Sequence, residues 1–188
     1  MVVISFLLFL GILFNPSPVL AQAHPSYEKF NLSEKDEAQI LFARGRYKES
    51  IEKFKGALKS EGGASTTFRM MLKAWKAVEG LDDAEQFLNN YQASNKDSTH
   101  VWYAFGYLNY LRADYGKAEK DFEKALKMNP KNGLAWNNLG AIFSEKKQYA
   151  LAIEKVKRAI KTDPKESMFF SNLQKIYQEM GEPDRFAN

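Results

Sequence analysis

The sequence predicts an all-α protein: an αα superhelix in which antiparallel helical hairpins stack into a solenoid and a last helix caps the stack. Three observations predict it. Apolar residues return at spacings of three and four within stretches of about 12–14 residues. These stretches recur with a period of about 34 residues. Asn129-Pro130 and Asp163-Pro164 close two of the units, because proline cannot continue a helix and restrains the residue before it.

The array is preceded by a different kind of sequence. Val2 to Phe14 is an apolar run broken only by Ser5 and Gly11. It is long enough for the apolar core of an export signal and shorter than the about 20 residues that span a bilayer. Asn15-Pro16-Ser17-Pro18 breaks any helix there. Ala21 and Ala23 supply the small-x-small pattern of a cleavage site, so residues 1–23 read as a signal peptide cut after Ala23. The alternatives are a buried terminal helix or an uncleaved membrane tether, the latter being the one route to membrane association that the sequence offers. Residues 24–30 read as a leader. The expected location is the periplasm, or secretion.

The repeat columns justify the elements in order. Phe68, Trp102, Trp136 and Phe170 share one column, and Met71, Phe105, Leu139 and Leu173 the next. Gly106 and Gly140 fall together, where two helices must approach closely. Ser50, Ala84, Ala118 and Ala152 give a small column on the facing helices, followed by Phe54, Leu88, Phe122 and Val156. Trp102 and Trp136 are expected to fill the wider gaps beside these close approaches. Arg112-Ala113-Asp114 and Lys146-Lys147-Gln148 read as turns, with Asp114 capping the helix after it. Ser33 reads as a cap for the first helix, with Asp36 behind it.

The units are expected at 31–64, 65–98, 99–132 and 133–166, followed by a capping helix and tail at 167–188. The first two depart most from the pattern. Leu72 replaces the glycine and Tyr91 replaces an alanine, so the second unit is expected to splay. Gly62-Gly63 stands in place of a closing proline and suggests a joint. Lys175, Gln178 and Glu179 give the last helix the polar side that a cap needs.

Trp102, Phe105-Gly106, Ala118, Phe122, Ala125 and Pro130 resemble the signature of the tetratricopeptide repeat. Trp136, Leu139-Gly140, Ala152, Val156, Ala159 and Pro164 resemble it again. The resemblance extends over Asn31–Asn188. It implies a groove, lined by the first helix of each unit, that holds an extended peptide or a partner helix. The carboxylate clamp of chaperone-binding relatives does not carry over. Tyr103 and Tyr107 stand where that clamp has Lys and Asn, Met168 replaces a further basic residue, and Asn138 alone matches.

Composition excludes several chemistries. The 188 residues carry a net charge of +4 and no cysteine, so disulfides, thiolate catalysis and cysteine zinc sites are excluded. The histidines are His24 and His100, with no metal-ligand spacing between them. No phosphate loop or nucleophile elbow occurs. Acidic residues alternate with lysine along helix faces, as solvated surfaces do. Lys155, Lys157, Arg158, Lys161 and Lys165 form a basic cluster without an aromatic set to stack bases, so no nucleic-acid partner is expected.

The expected function is therefore a non-catalytic interaction scaffold without a cofactor or metal, its partner a protein or peptide. The alternative is a structural subunit of an envelope assembly such as secretion, pilus or outer-membrane machinery. The candidate groove residues are Arg69, Lys73, Tyr103, Tyr107, Tyr110, Asn137 and Asn138. The tyrosines lie four and three apart and share one helical face. Arg69 and Lys73 suit a carboxylate, and Asn138 and Asn172 suit a ligand backbone.

Overall fold

The first described helix starts where serine can cap it. Ser33 Oγ accepts from the Asp36 amide at 3.2 Å and opens α1, Glu34–Ala43. The computed structural model describes residues 32–60, 64–96 and 98–186. The signal segment, the leader and Gly62-Gly63 lie outside them. Eight further α-helices follow among the described residues: α2 Tyr47–Ser60, α3 Ser65–Ala77, α4 Leu81–Ser94, α5 Thr99–Leu111, α6 Tyr115–Met128, α7 Gly133–Glu145, α8 Tyr149–Thr162 and α9 Ser167–Glu179. A 3₁₀ turn, Pro183–Phe186, follows, with Pro183 early where a second helix of the last unit would run. Each odd-numbered helix pairs with the one after it, and α9 closes the stack.

The small column is what lets the pairs close. Ser50, Ala84, Ala118 and Ala152 are fully buried, and so are Phe54, Leu88, Phe122 and Val156 one turn later. Ser50 satisfies its hydroxyl by donating to the Ala38 carbonyl across the crossing at 2.8 Å. Gly106 faces the Phe122 ring, and Gly140 faces Val156 and the Ala152 carbonyl. One apolar cluster then runs through all the units from Ala38 to Tyr177. The second pair is the loosest, as the bulk at Leu72 and Tyr91 implies: α3 touches α4 far less than α7 touches α8. Tyr91 fills that space edge-on against Phe68, with ring centroids 5.2 Å apart.

The turns inside the pairs share a conformation the sequence does not advertise. Gly45, Glu79, Ala113, Lys147 and Gly181, one per unit, all have φ between 57° and 81°. In each turn the next amide reaches back to close the helix, as Asp114 N does to Asn109 O at 2.9 Å and Gln148 N to Phe143 O at 2.8 Å. Two of the five are glycine, the residue that adopts this conformation without strain. Asp114 caps α6 by accepting from Lys117 N at 3.1 Å, as expected.

The aromatic column needs a correction. Trp102 and Trp136 do not fill the interior; both are half-buried at the rim. Their inner faces rest on the array, and basic side chains from the following helix cover the outer ones. Lys124 Nζ lies 3.2 Å from the Trp102 ring centroid, and the Arg158 guanidinium lies 4.9 Å from that of Trp136. The Trp136 indole donates to the Pro130 carbonyl at 2.9 Å. The interior is filled one residue earlier, by Val101, Ala135 and Phe169. Phe170, with no full second helix after it, stays 38% exposed. The polar residues Lys175, Gln178 and Glu179 face solvent on α9.

Candidate functional site

The first helices of the units come together on one side of the array. There α3, α5, α7 and α9 enclose an open groove with a cavity of about 170 Å³. Arg69 and Lys73 enter from α3, Tyr107 and Tyr110 from α5, Asn137, Asn138 and Ala141 from α7, and Met168, Asn172 and Lys175 from α9. Six of the seven residues named from sequence thus line one cavity. Ser144, Glu145, Ile176 and Glu179, which complete its far end, were not named as groove residues, Glu179 being read only as part of the polar side of the cap. Ser144 and Glu145 lie about one turn beyond Ala141 on α7, so extending the face by a turn would have found them.

Tyr103 is the exception. It shares the face of Tyr107 and Tyr110, and the three rings stack, with successive centroids 6.1 Å apart. Its own ring, however, is fully buried beneath α7. Its hydroxyl accepts from Asn138 Nδ2 at 3.2 Å, and Asn138 spends its other amide hydrogen on the Leu134 carbonyl at 2.9 Å. Tyr103 therefore supports the groove floor rather than touching its contents. Asn138 likewise has no amide donor left for a ligand. Asn172 donates to Asn137 Oδ1 at 2.8 Å and ties α9 to α7.

The electrostatics differ at the two ends. Burial raises the pKa of Tyr103, and raises that of Tyr107 to about 12, although Arg69 nearby opposes both shifts. Burial and then Glu145 raise Tyr110. All three are neutral phenols at physiological pH. At the α3 end, burial and then Arg69 lower the pKa of the Lys73 ammonium. Arg69 Nη1 donates to Met168 Sδ at 3.1 Å, across the groove from α3 to α9. At the other end Ser144 donates to Glu179 at 2.6 Å and holds its carboxyl below the usual range, helped by Lys175 at 3.3 Å.

Nothing in this arrangement assembles a metal centre: among the described residues no group of three or more His, Cys, Asp or Glu side chains is placed to hold an ion. Nor is any described helix long and apolar enough to cross a membrane. A second, more open cleft of about 610 Å³ lies between α2 and α4, with Trp75 and Phe87 in its wall. Its Lys55 is paired with Glu52 at 2.8 Å.

The family model of the tetratricopeptide repeat matches residues 103–167, which cover α5 through α8 almost entirely. Residues 103–167 are thus tetratricopeptide repeats by the family model. Solved structures extend the likeness over the array. The chain is similar to TTC0263, described as a thermophilic tetratricopeptide-repeat protein of Thermus thermophilus, at 15% identity and a TM-score of 0.64, over 81% of this chain and 84% of that one. It is similar to MamA at 19% identity and a TM-score of 0.53, over 80% and 88% of the two chains. It is also similar to MamA from Desulfovibrio magneticus at 18% identity and a TM-score of 0.54, over 82% and 87%. At these identities the likeness is one of fold. No curated protein matches the sequence.

Proposed function

We propose that this protein is a non-catalytic adaptor that holds a peptide or partner helix in the groove between α3, α5, α7 and α9, and that it works in the bacterial envelope after export. One observation carries the groove reading. Two half-buried cations, Arg69 and Lys73, have no carboxylate partner among the described residues, and they stand beside a floor of stacked neutral tyrosines. Tyrosine combines apolar area with a hydroxyl and is enriched where proteins bind one another. By contrast, Arg112 at the turn after α5 is answered by Asp82 and Glu85.

Export rests on the apolar run Val2–Phe14 and on Ala21 and Ala23. The unit bounds 31–64, 65–98, 99–132 and 133–166 belong to the same proposal. The test is a crosslinked pull-down of the chain from its native envelope, comparing wild type with a Lys73→Ala, Tyr107→Ala double variant that remains folded. A partner held by wild type and lost by the variant supports the groove. A partner held equally by both moves the function to the outer or terminal faces. Mass spectrometry of the mature N-terminus checks export, with His24 expected as the first residue.

A further inference from the structure

One buried polar side-chain atom has no hydrogen-bond partner among the described residues, and it is Nε of Arg69. The same guanidinium spends Nη1 on a thioether, Met168 Sδ, at 3.1 Å. A thioether is a weak acceptor, while a guanidinium is a planar fork matched to two carboxylate oxygens. Arg46, Arg112, Arg158 and Arg185 all find carboxylates on the surface. Exposed Arg44 and groove-lining Arg69 do not, and of the two only Arg69 is half-buried. One turn along α3, Lys73 faces the same space, also without an ion-pair partner, and burial and then Arg69 disfavour its charge. A free protein gains nothing from such a pair. A protein that binds an anion there does.

We propose that Arg69 and Lys73 are the receptor for an Asp or Glu side chain of the partner polypeptide, and that Met168 is a placeholder which the carboxylate displaces from Arg69. This rests on the groove being the docking surface. The charge along the groove narrows the partner further. Its far end carries Glu145 and Glu179 against the single Lys175, so a continuous acidic run is repelled there. The partner segment places one carboxylate at the α3 end and apolar side chains over Tyr107 and Tyr110. The carboxylate is assigned to a side chain of that segment, and free-acid peptides test a chain end in its place.

The test uses the full chain and short peptide pools, acetylated and amidated, randomised except for a central Glu, Gln or Lys. The Glu pool is expected to bind roughly ten-fold more tightly than the Gln pool. Arg69→Met and Lys73→Met are each expected to abolish that preference, and Met168→Leu to retain it. Without peptide, Arg69→Met is expected to melt no lower than wild type, because it removes an unsatisfied buried donor. Equal binding of the Glu and Gln pools, lost in Tyr107→Ala, overturns the anion receptor and leaves the groove reading standing. Failure of any pool to bind, or binding that no groove variant alters, overturns both. Tighter binding of inorganic phosphate, an oligonucleotide or only a free-acid version of the Gln pool overturns the side-chain assignment. A fall of several degrees in the melting point of Arg69→Met makes Arg69 structural and overturns the receptor.

Discussion

Adding one methyl group at Gly140 should open the crossing of α7 and α8. A Cβ there would overlap Val156 Cγ2 and lie 3.0 Å from the Ala152 carbonyl oxygen. The second contact is backbone and cannot rotate away. Val156 is fully buried and β-branched, so its own χ1 has little freedom. Relief requires α7 and α8 to part, and overpacking of this kind costs about 1–3 kcal/mol. Alanine returns about 1 kcal/mol of helix propensity over glycine. The backbone contact places the cost at the upper end, for a net loss of about 1–2 kcal/mol in Gly140→Ala. In a domain of this size that is a fall of about 2–8 °C in Tm. Gly116 supplies the internal control. It is exposed near the start of α6, and a Cβ there meets only Asp114 Oδ1 at 3.9 Å. Gly116→Ala should therefore gain about 0.5 kcal/mol. Thermal unfolding by circular dichroism of the two variants reads both signs. A Gly140→Ala protein that melts at or above wild type, beside a Gly116→Ala protein that rises as expected, would refute the close-crossing argument.

Three further outcomes are expected. Lys147 holds φ at 58° without being glycine, so Lys147→Gly should stabilise by about 0.5–1 kcal/mol in chemical denaturation, and no gain would mean the turn is unstrained. Trp136 is half-buried, so Trp136→Ala should cost about 2 kcal/mol rather than the about 3–5 of a fully buried aromatic, read by the same denaturation. His100 sits between first helices: Asn132 Nδ2 donates to Ser65 Oγ at 3.0 Å, and the same hydroxyl is hydrogen-bonded to His100 Nδ1 at 3.0 Å. Burial lowers the His100 pKa, so the unfolded chain binds the proton more readily, and stability is lost as pH falls below the ordinary histidine value of about 6.5. Wild type should thus lose more Tm than His100→Gln between about pH 7.5 and about pH 5.5; equal losses would assign the pH dependence elsewhere.

The fold was legible because its constraint is repeated. Wherever two helices cross, the chain must place a small residue, and Ala118 and Ala152 with Gly106 and Gly140 show the rule twice in matching register. A reader of sequence alone can align such columns and infer the hairpins. Depth within a face is another matter. Spacings of four and three put Tyr103, Tyr107 and Tyr110 on one side of α5, but they do not say that α7 roofs over the first of them. Tryptophan misleads for a related reason: Trp102 and Trp136 recur like core residues yet lie at the rim, because a large ring can cover the core while a lysine or arginine covers the ring. The left-handed turns at Glu79, Ala113 and Lys147 carried no glycine to mark them. The contact of Arg69 with Met168 joins the second unit to the last helix. It depends on how far the superhelix curls, a property summed over every crossing and visible in no single motif.

The most direct measurement is site-specific photocrosslinking from two positions on the full chain in its native cells. A photoreactive residue at Ala141 probes the groove wall, and one at Lys157 probes the outer face of α8. A groove scaffold yields a discrete crosslinked partner from Ala141 and none from Lys157, and the Ala141 adduct weakens in a Lys73→Ala background. The same adduct from Lys157 alone, or from both positions without regard to Lys73, would contradict the groove as the working surface.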